Sequence, residues 1–102
     1  MDVGAARAIL TVYRRDGCTI CDEAEDLLIE ELDARRAAGQ PVPAIEHVDV
    51  ESSAELEERY GPRIPVFAIG RHELDLVVTP GRLRRLLDSA NADEHEAKTA
   101  WT

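Results

Sequence analysis

The chain has 102 residues, of which 44% are hydrophobic and 32% charged, and its formal net charge is −9. This length suits a single domain, and the composition is that of a folded globular chain rather than a disordered one. The negative charge argues against binding to nucleic acid or to a membrane surface, and no apolar run approaches the length of a membrane span. The first residues lack the basic segment of a signal peptide, so we expect a cytoplasmic protein.

The domain is expected to occupy residues 1–90, with residues 1–7 as a loose leader. Residues 91–102 are polar, lack a hydrophobic period and contain Trp101. They are therefore interpreted as a flexible C-terminal tail.

The first predicted elements are a strand over residues 8–14 and a helix over residues 18–37. The strand is a short run rich in β-branched and aromatic side chains, which favours burial on both faces. Gly17 interrupts the run. Apolar residues then recur at helical spacing, with acidic residues on the other faces and with Arg35 and Arg36 near the helix end, where cations suit the dipole.

Both cysteines of the chain, Cys18 and Cys21, lie at the start of this helix, about one turn apart on the same face. The unpaired N–H groups and the positive pole of a helix start stabilise an anion. The thiolate is the anion that attacks a disulfide. In a cytoplasmic protein, Cys-x-x-Cys indicates redox chemistry or a metal rather than a structural disulfide.

A second strand is predicted over residues 44–50, where Val48 and Val50 share one face. Ser52 is the predicted N-cap of a short helix, with Glu55 completing a capping box. That helix carries Leu56 and Tyr60 and is ended by Gly61-Pro62.

Pro65 is predicted to be the first residue of an apolar third strand that ends at Ile69. Gly70-Arg71 predicts a tight turn into a strand over residues 73–78, whose alternating apolar residues are Leu74, Leu76 and Val78. Thr79-Pro80 predicts the start of the last helix. The apolar positions of that helix are Leu83, Leu86, Leu87 and Ala90.

The resulting order is β-α-β-α-β-β-α, with a right-handed parallel crossover first and an antiparallel hairpin last. This order, with Cys-x-x-Cys opening the first helix and Ile64-Pro65 opening the third strand, resembles the thioredoxin fold. It is similar in particular to the short glutaredoxin-like proteins, over residues 8–88. The resemblance implies an α/β domain with a four-stranded mixed sheet flanked by helices.

The resemblance also implies a function, that of a thiol–disulfide oxidoreductase acting on disulfides of proteins or of glutathione. It implies that Cys18 is the nucleophile and Cys21 the resolving cysteine. It further implies that Pro65 is a cis proline facing them and that the backbone of Ile64 pairs with an extended peptide or with glutathione.

Two departures from the glutaredoxin pattern concern substrate binding. Glutaredoxins usually carry Pro-Tyr between the cysteines, whereas this chain has Thr19-Ile20, and Ile20 gives the site an apolar rim. Glutaredoxins also carry a Gly-Gly-x-Asp turn that helps to hold the glutathione carboxylate. Here that place reads Thr79-Pro80-Gly81-Arg82, where the helix start offers N–H groups but Thr79 competes for them as a cap.

Arg14 and Arg15 complete the set of candidate substrate-binding residues. Either they favour the thiolate of Cys18 or hold an acidic group of a substrate, or they are solvated residues of the turn. Asp16, Asp22 and Glu23 act in the opposite direction, because their negative charges disfavour a nearby thiolate.

We expect a monomer with no bound cofactor or metal, glutathione as a candidate co-substrate and a reductase as electron donor. Two alternatives stay open. One is a non-catalytic redox-sensing or adaptor module whose Cys18–Cys21 bridge switches a partner surface. The other is a metal or iron–sulfur carrier formed by a dimer, since one chain offers only two cysteine ligands and lacks the second pair that a zinc site needs.

Overall fold

The structure, a computed structural model, describes the backbone of residues 8–100 and the side chains of residues 8–93. The predicted leader, Trp101 and Thr102 lie outside the described residues. The described elements are the strands and helices β1 (Ile9–Arg14), α1 (Thr19–Ala37), β2 (Ala44–Asp49), α2 (Ala54–Tyr60), β3 (Val66–Ile69), β4 (His72–Asp75) and α3 (Pro80–Ala100). The predicted order of elements is confirmed.

The four strands form one mixed sheet in the order β2-β1-β3-β4. β1 is parallel to β2 and antiparallel to β3, and β3 and β4 form the antiparallel hairpin. β1 and β3 are therefore central, whereas β2 and β4 are the two edges. β3 has buried residues on both faces, but the buried residues of β1, Leu10 and Val12, share one face. In this register Tyr13 lies opposite Val66, so the end of β1 adjoins the start of β3.

The two faces of the sheet carry separate cores. α1 and α3 pack on one face, where the buried strand residues include Leu10, Val12 and Phe67 and the helices contribute Leu28, Leu32, Leu83, Leu86 and Leu87. The 3-10 turn Val50–Ser52 and α2 cover the other face around Val50, Tyr60 and Val66. There the ring of Tyr13 stacks on that of Tyr60 with centroids 3.8 Å apart. No helix in the described part of the chain is both long and apolar enough to cross a membrane.

The predicted start of α2 is wrong by one residue. Ser53, not Ser52, is the N-cap, and its Oγ accepts a hydrogen bond from the N–H of Leu56 at 3.1 Å. Ser52 instead belongs to the 3-10 turn that follows β2, and its hydroxyl donates to the carbonyl of Asp49 at 2.6 Å. Because the helix begins one residue later, Glu55 is not at the position that a capping box requires.

The predicted third and fourth strands are also corrected. β3 begins at Val66, directly after Pro65, and β4 ends at Asp75 rather than at Val78. Leu76 has a left-handed φ of 62°, and the amide of Val77 folds back to the carbonyl of Asp75 at 2.7 Å. This reversal carries the chain away from the sheet edge and towards α3.

The last helix continues to Ala100, ten residues beyond Ala90, the last of its predicted apolar positions. The flexible tail over residues 91–102 stays a prediction. Residues 91–100 are rich in alanine and other good helix formers, which propagate a helix without an apolar stripe. At their start, Asp93 accepts hydrogen bonds from Arg71 at 3.0 Å and contacts His72 Nε2 at 2.6 Å. These contacts join α3 to the β3–β4 hairpin.

We predict that Asp93→Asn speeds amide hydrogen exchange in α3 beyond Ala90 at neutral pH. The contacts with His72 and Arg71 hold the pKa of the Asp93 carboxyl below its usual range. The ionised carboxylate therefore stabilises the fold at pH values above the usual pKa of an aspartate. This stabilisation is lost as the pH falls through the lowered pKa of Asp93.

Hydrogen exchange with mass spectrometry tests this prediction, and the difference from the parent protein should fade in acid. Asp33→Asn is the matched control because, among residues 8–93, Asp33 pairs only with Arg36 of the same helix, in an exposed position. If exchange in α3 is the same in the Asp93 variant and the parent at pH 7, the described contact does not secure this part of the helix.

Candidate active site

The site begins with the turn that connects β1 to α1. Gly17 has a φ of 75°, which L-residues rarely adopt, and the amide of Cys18 donates to the carbonyl of Arg15 at 3.3 Å. Cys18 is the N-cap of α1, with extended φ and ψ of −87° and 102°. The turn therefore places the first cysteine at the open end of the helix, where the first amide groups have no partner within the helix.

The sulfur of Cys18 acts as the cap of α1. The amide of Cys21 donates a hydrogen bond to Cys18 Sγ at 3.1 Å, and the amide of Asp22 donates to the Cys18 carbonyl at 3.0 Å. A backbone N–H directed at sulfur, together with the positive end of the helix dipole, stabilises a thiolate at this position once the cysteine is reduced.

Cys18 and Cys21 form a disulfide in this structure, with Cα atoms 5.2 Å apart. Cys18 is partly exposed, whereas Cys21, the third residue of α1, has no exposed surface. An external disulfide can therefore approach the sulfur of Cys18 but not that of Cys21.

The loop before β3 lies at the same end of the sheet. The Ile64-Pro65 peptide bond is cis, as the resemblance implies, and Pro65 is buried. Because Tyr13 pairs with Val66, the loop that ends at Pro65 adjoins the end of β1, from which the cysteine turn departs. Ile64 precedes β3 and is not among the residues that pair β3 with β1 or β4. Its expected pairing with a substrate backbone stays a prediction.

Arg14 is held by carboxylates of the helix that carries the cysteines. Its guanidinium donates to Asp22 at 2.7 Å and also to Glu25, and these contacts, Glu25 first, raise the pKa of Arg14. The second oxygen of Glu25 lies 2.6 Å from Nε2 of His47 on β2. Arg14 thus joins the end of β1 to α1. Its positive charge also offsets the negative charges of Asp22 and Glu25, which follow Cys21 in α1.

Arg15 faces the other layer of the molecule. Its guanidinium donates to Glu57 of α2, and its Nε lies 3.2 Å from a Glu51 oxygen, without the alignment of a hydrogen bond. Gly61 makes room for this contact, because a Cβ there would clash with the Glu57 carboxylate. Both arginines are therefore paired within the chain, and their predicted role in substrate binding stays untested.

An apolar groove adjoins the cysteines, and only the Ile20 side of it was predicted from the sequence. Ile20, expected to form an apolar rim, is 63% exposed at the first turn of α1. It lines a groove of about 170 Å³ whose other walls are Glu23, Ala24, Leu27, Leu76 and Val78. Leu76 and Val78 were missed because their alternation with Leu74 indicated a strand. The signal available in the sequence was the adjacent apolar pair Leu76-Val77 just before the helix cap at Thr79.

The start of α3 has the predicted cap. Oγ1 of Thr79 accepts a hydrogen bond from the amide of Arg82 at 3.2 Å, and Pro80 at the first helical position has no N–H. Within residues 8–93, no group of three or more His, Cys, Asp or Glu side chains is arranged to hold a metal ion.

A mixed four-stranded sheet between helices, with Cys-x-x-Cys at the start of its first helix and a cis proline before β3, defines a thioredoxin-like fold with a redox-type cysteine pair. The model of the glutaredoxin-like domain (DUF836) matches residues 9–98. The chain belongs to this glutaredoxin-like family.

A solved structure is similar to the chain over most of its length. It is the X-ray structure of Northeast Structural Genomics target protein XcR50 from X. campestris, with 37% sequence identity and a TM-score of 0.63. The similarity covers 79% of this chain and 97% of that chain. A comparison with curated proteins finds no match.

We predict that Arg14→Gln lowers the free energy of unfolding of the oxidised protein by about 1.5–3 kcal/mol, the range for hydrogen bonds to charged groups. Arg14 and Glu25 are both largely shielded from solvent. Arg36→Gln is the matched control, because its pair with Asp33 is exposed on one helix; there we expect a loss below about 0.5 kcal/mol. Urea unfolding measures both, and equal losses would contradict the anchoring role of Arg14.

Proposed function

We propose that this chain is a thiol–disulfide oxidoreductase that uses the Cys18–Cys21 dithiol to exchange disulfides with proteins or with glutathione. One observation carries the proposal: the Cys18 sulfur accepts the N–H of Cys21 at the start of α1 and is bonded to the Cys21 sulfur. The same contact favours a thiolate and holds a second thiol within reach of any mixed disulfide. Membership of a glutaredoxin-like family is consistent with this activity.

The exchange proceeds in two steps, starting from the reduced protein. The Cys18 thiolate attacks one sulfur of the substrate disulfide, so that a Cys18–substrate bond forms, the substrate bond breaks and the other substrate sulfur leaves as a thiolate. The Cys21 sulfur, having lost its proton to solvent, then attacks Cys18 Sγ and displaces the remaining substrate thiolate. The protein dithiol is oxidised by two electrons to the disulfide described here, and the substrate is reduced to two thiols.

The exposure of the two sulfur atoms supports their assignment as nucleophile and resolver. Cys18 is reachable from solvent and is the N-cap, whereas Cys21 is buried one turn further along. In this proposal the cis Pro65 loop, the backbone of Ile64 and the side chain of Ile20 border the incoming substrate. Arg14 and Arg15 hold the turn in place through their carboxylate partners.

The proposed setting is the cytoplasm, with the protein acting as a monomer and being reset by a reductase or by glutathione. The net charge of −9 supports partners other than nucleic acid or anionic membranes. The proposal requires no bound cofactor.

We predict that Cys18 of the reduced protein is alkylated several times faster than Cys21 at pH 7. The expected order follows from the exposure of Cys18 and from the amide that stabilises its thiolate. Timed labelling with iodoacetamide, followed by fragmentation of the labelled peptide in a mass spectrometer, measures both rates. Faster labelling of Cys21 would reverse the assigned roles.

We further predict that Cys21→Ser traps mixed disulfides on Cys18, whereas Cys18→Ser traps few. Removing Cys21 leaves the first attack intact and eliminates the only thiol that could resolve its product, because the chain has no third cysteine. Removing Cys18 leaves a buried thiol that substrates cannot approach.

Mass spectrometry of both variants, after incubation with cell extract under mild oxidation, detects the adducts. The double variant, with serine at both positions, is the control for non-covalent carry-over. Equal adduct yields from the two single variants would contradict the roles of nucleophile and resolver. No adduct on either would favour the non-catalytic redox-sensing module.

A further inference from the structure

Leu76 has an unusual backbone conformation for a residue of its type. Its φ is 62°, and it is the only residue other than glycine with positive φ in the part of the chain that the structure describes. Leucine gains nothing from local hydrogen bonding there, unlike asparagine or aspartate, so this conformation is strained. The side chain is also 54% exposed, so burial does not compensate for the strain.

The strained conformation is fixed by the loop that contains the cis proline. The amide of Leu76 donates to the carbonyls of both Arg63, at 3.2 Å, and Pro65, at 3.3 Å. The next residue, Val77, is 57% exposed. Leu76 is therefore tied by its backbone to one border of the proposed active site while its apolar side chain is held outside the core. Strain of this kind is concentrated at functional sites.

The groove opposite Leu76 begins within the Cys-x-x-Cys segment. Ile20 and Leu76 both line it, and Ala24, Leu27 and Val78 supply further apolar lining. Glu23 is the charged residue of the lining, and it forms no ion pair with any side chain that the structure describes. The groove therefore suits an apolar side chain that is accompanied by a cation.

Two features that could hold an anionic ligand, the arginines of the cysteine turn and the start of α3, make contacts within the chain. Arg14 and Arg15 are paired with carboxylates of the chain. The start of α3 is capped by Thr79, and Pro80 offers no N–H. Glutathione disulfide carries more carboxylates than ammonium groups and is a net anion. It would approach a chain of net charge −9, and the charged residue that lines the groove, Glu23, is itself an anion.

We propose that the preferred substrate is a polypeptide disulfide with an apolar residue and a lysine or arginine beside its cysteine, in preference to glutathione disulfide. The apolar side chain occupies the groove between Ile20 and Leu76, and the cation pairs with Glu23. This inference rests on the proposed function and makes Leu76 a residue that determines substrate specificity. The exchange step is the one described above: the bound disulfide is reduced, and the Cys18–Cys21 dithiol is oxidised.

The test uses the full-length reduced protein in single-turnover reactions, so that no external reductant is needed. The substrates are disulfide-linked dimers of one short peptide, with Leu and Lys, Ser and Lys, or Leu and Glu beside the cysteine, together with glutathione disulfide. Acid quenching and mass spectrometry follow formation of the Cys18–Cys21 disulfide. We expect the Leu and Lys peptide to react about tenfold faster than the Ser and Lys peptide, the effect of partly burying a leucine side chain.

Variants of the groove residues then test whether the groove causes the preference for the Leu and Lys peptide. Leu76→Asn and Ile20→Ser should each reduce the ratio of the Leu and Lys rate to the Ser and Lys rate towards one. Glu23→Lys should reverse the preference between the Lys and Glu peptides, with a change of about threefold on each. Ile29→Ser is the matched control, because Ile29 is also an exposed isoleucine of α1, at 48% exposure, but lies outside the groove. It should leave both ratios unchanged.

Thermal unfolding supplies an independent readout for Leu76. Since asparagine tolerates a positive φ better than leucine, Leu76→Asn should keep or raise the melting temperature while it removes the preference for the apolar peptide. A residue with a merely structural role would lose stability on the same change. If the variant is too unstable to assay, strain at Leu76 is not the explanation, and the inference fails on that ground.

The outcomes separate this inference from the proposed function. If the protein oxidises with none of the substrates, the proposed function itself is contradicted. If it oxidises with equal rates for all peptides, or fastest with glutathione disulfide, the oxidoreductase function stands and the groove assignment is overturned. A preference for the apolar peptide that survives both Leu76→Asn and Ile20→Ser also overturns the assignment.

Discussion

The hydrogen bond from the Cys21 amide to the Cys18 sulfur connects the stability of α1 to its chemistry. A helix start leaves amide groups without partners, and a hydroxyl or carboxylate oxygen of the N-cap residue usually accepts one of them. Here a sulfur atom takes that place. The requirement of the helix for a cap and the requirement of exchange chemistry for a stabilised thiolate are therefore met by one contact. The position of the Cys18 sulfur depends on where α1 begins.

The surroundings of this contact keep the start of α1 in place. The turn before it is joined to α1 through Arg14 and to α2 through Arg15, which lie on opposite faces of the sheet. Arg14 is the last residue of β1 and contacts α1, and Arg15, the next residue, contacts the opposite layer, so two neighbouring arginines secure both layers. Arg14 also offsets Asp22 and Glu25, whose charges would otherwise oppose a thiolate nearby. The acidic sequence around the cysteines is thus compatible with a reactive sulfur.

The sequence was sufficient for features with a local cause and insufficient where a distant contact decides. Periodicity predicted β1 and α1, and Thr79-Pro80 predicted the start of α3, because apolar spacing and caps are local signals. The alternation of apolar residues from Leu74 to Val78 is typical of a strand. In the structure the strand ends before Leu76, whose amide donates to the carbonyls of Arg63 and Pro65, and these residues are distant in the sequence.

Among the charged and polar residues, too, local roles could be predicted from the sequence and distant contacts could not. Either Ser52 or Ser53 could cap α2, and the 3-10 turn selects the second. The partners of Arg15 include Glu57, 42 residues away in the sequence, so its pairing could not be seen in the turn itself. The extension of α3 was missed because a helix that leaves the core needs no apolar face.

The two open edges of the sheet have a consequence for self-association. An unpaired edge strand is a template on which a second copy can add its own strand and start an aggregate. The edge strand β2 carries Glu46 and Asp49, and the edge strand β4 carries Glu73 and Asp75. Arg63 pairs with both carboxylates of β4 and offsets part of their charge. Joining the edges of two molecules would bring like charges together, and both strands are short. The acidic composition therefore protects the sheet from growing across molecules, quite apart from any effect on substrates.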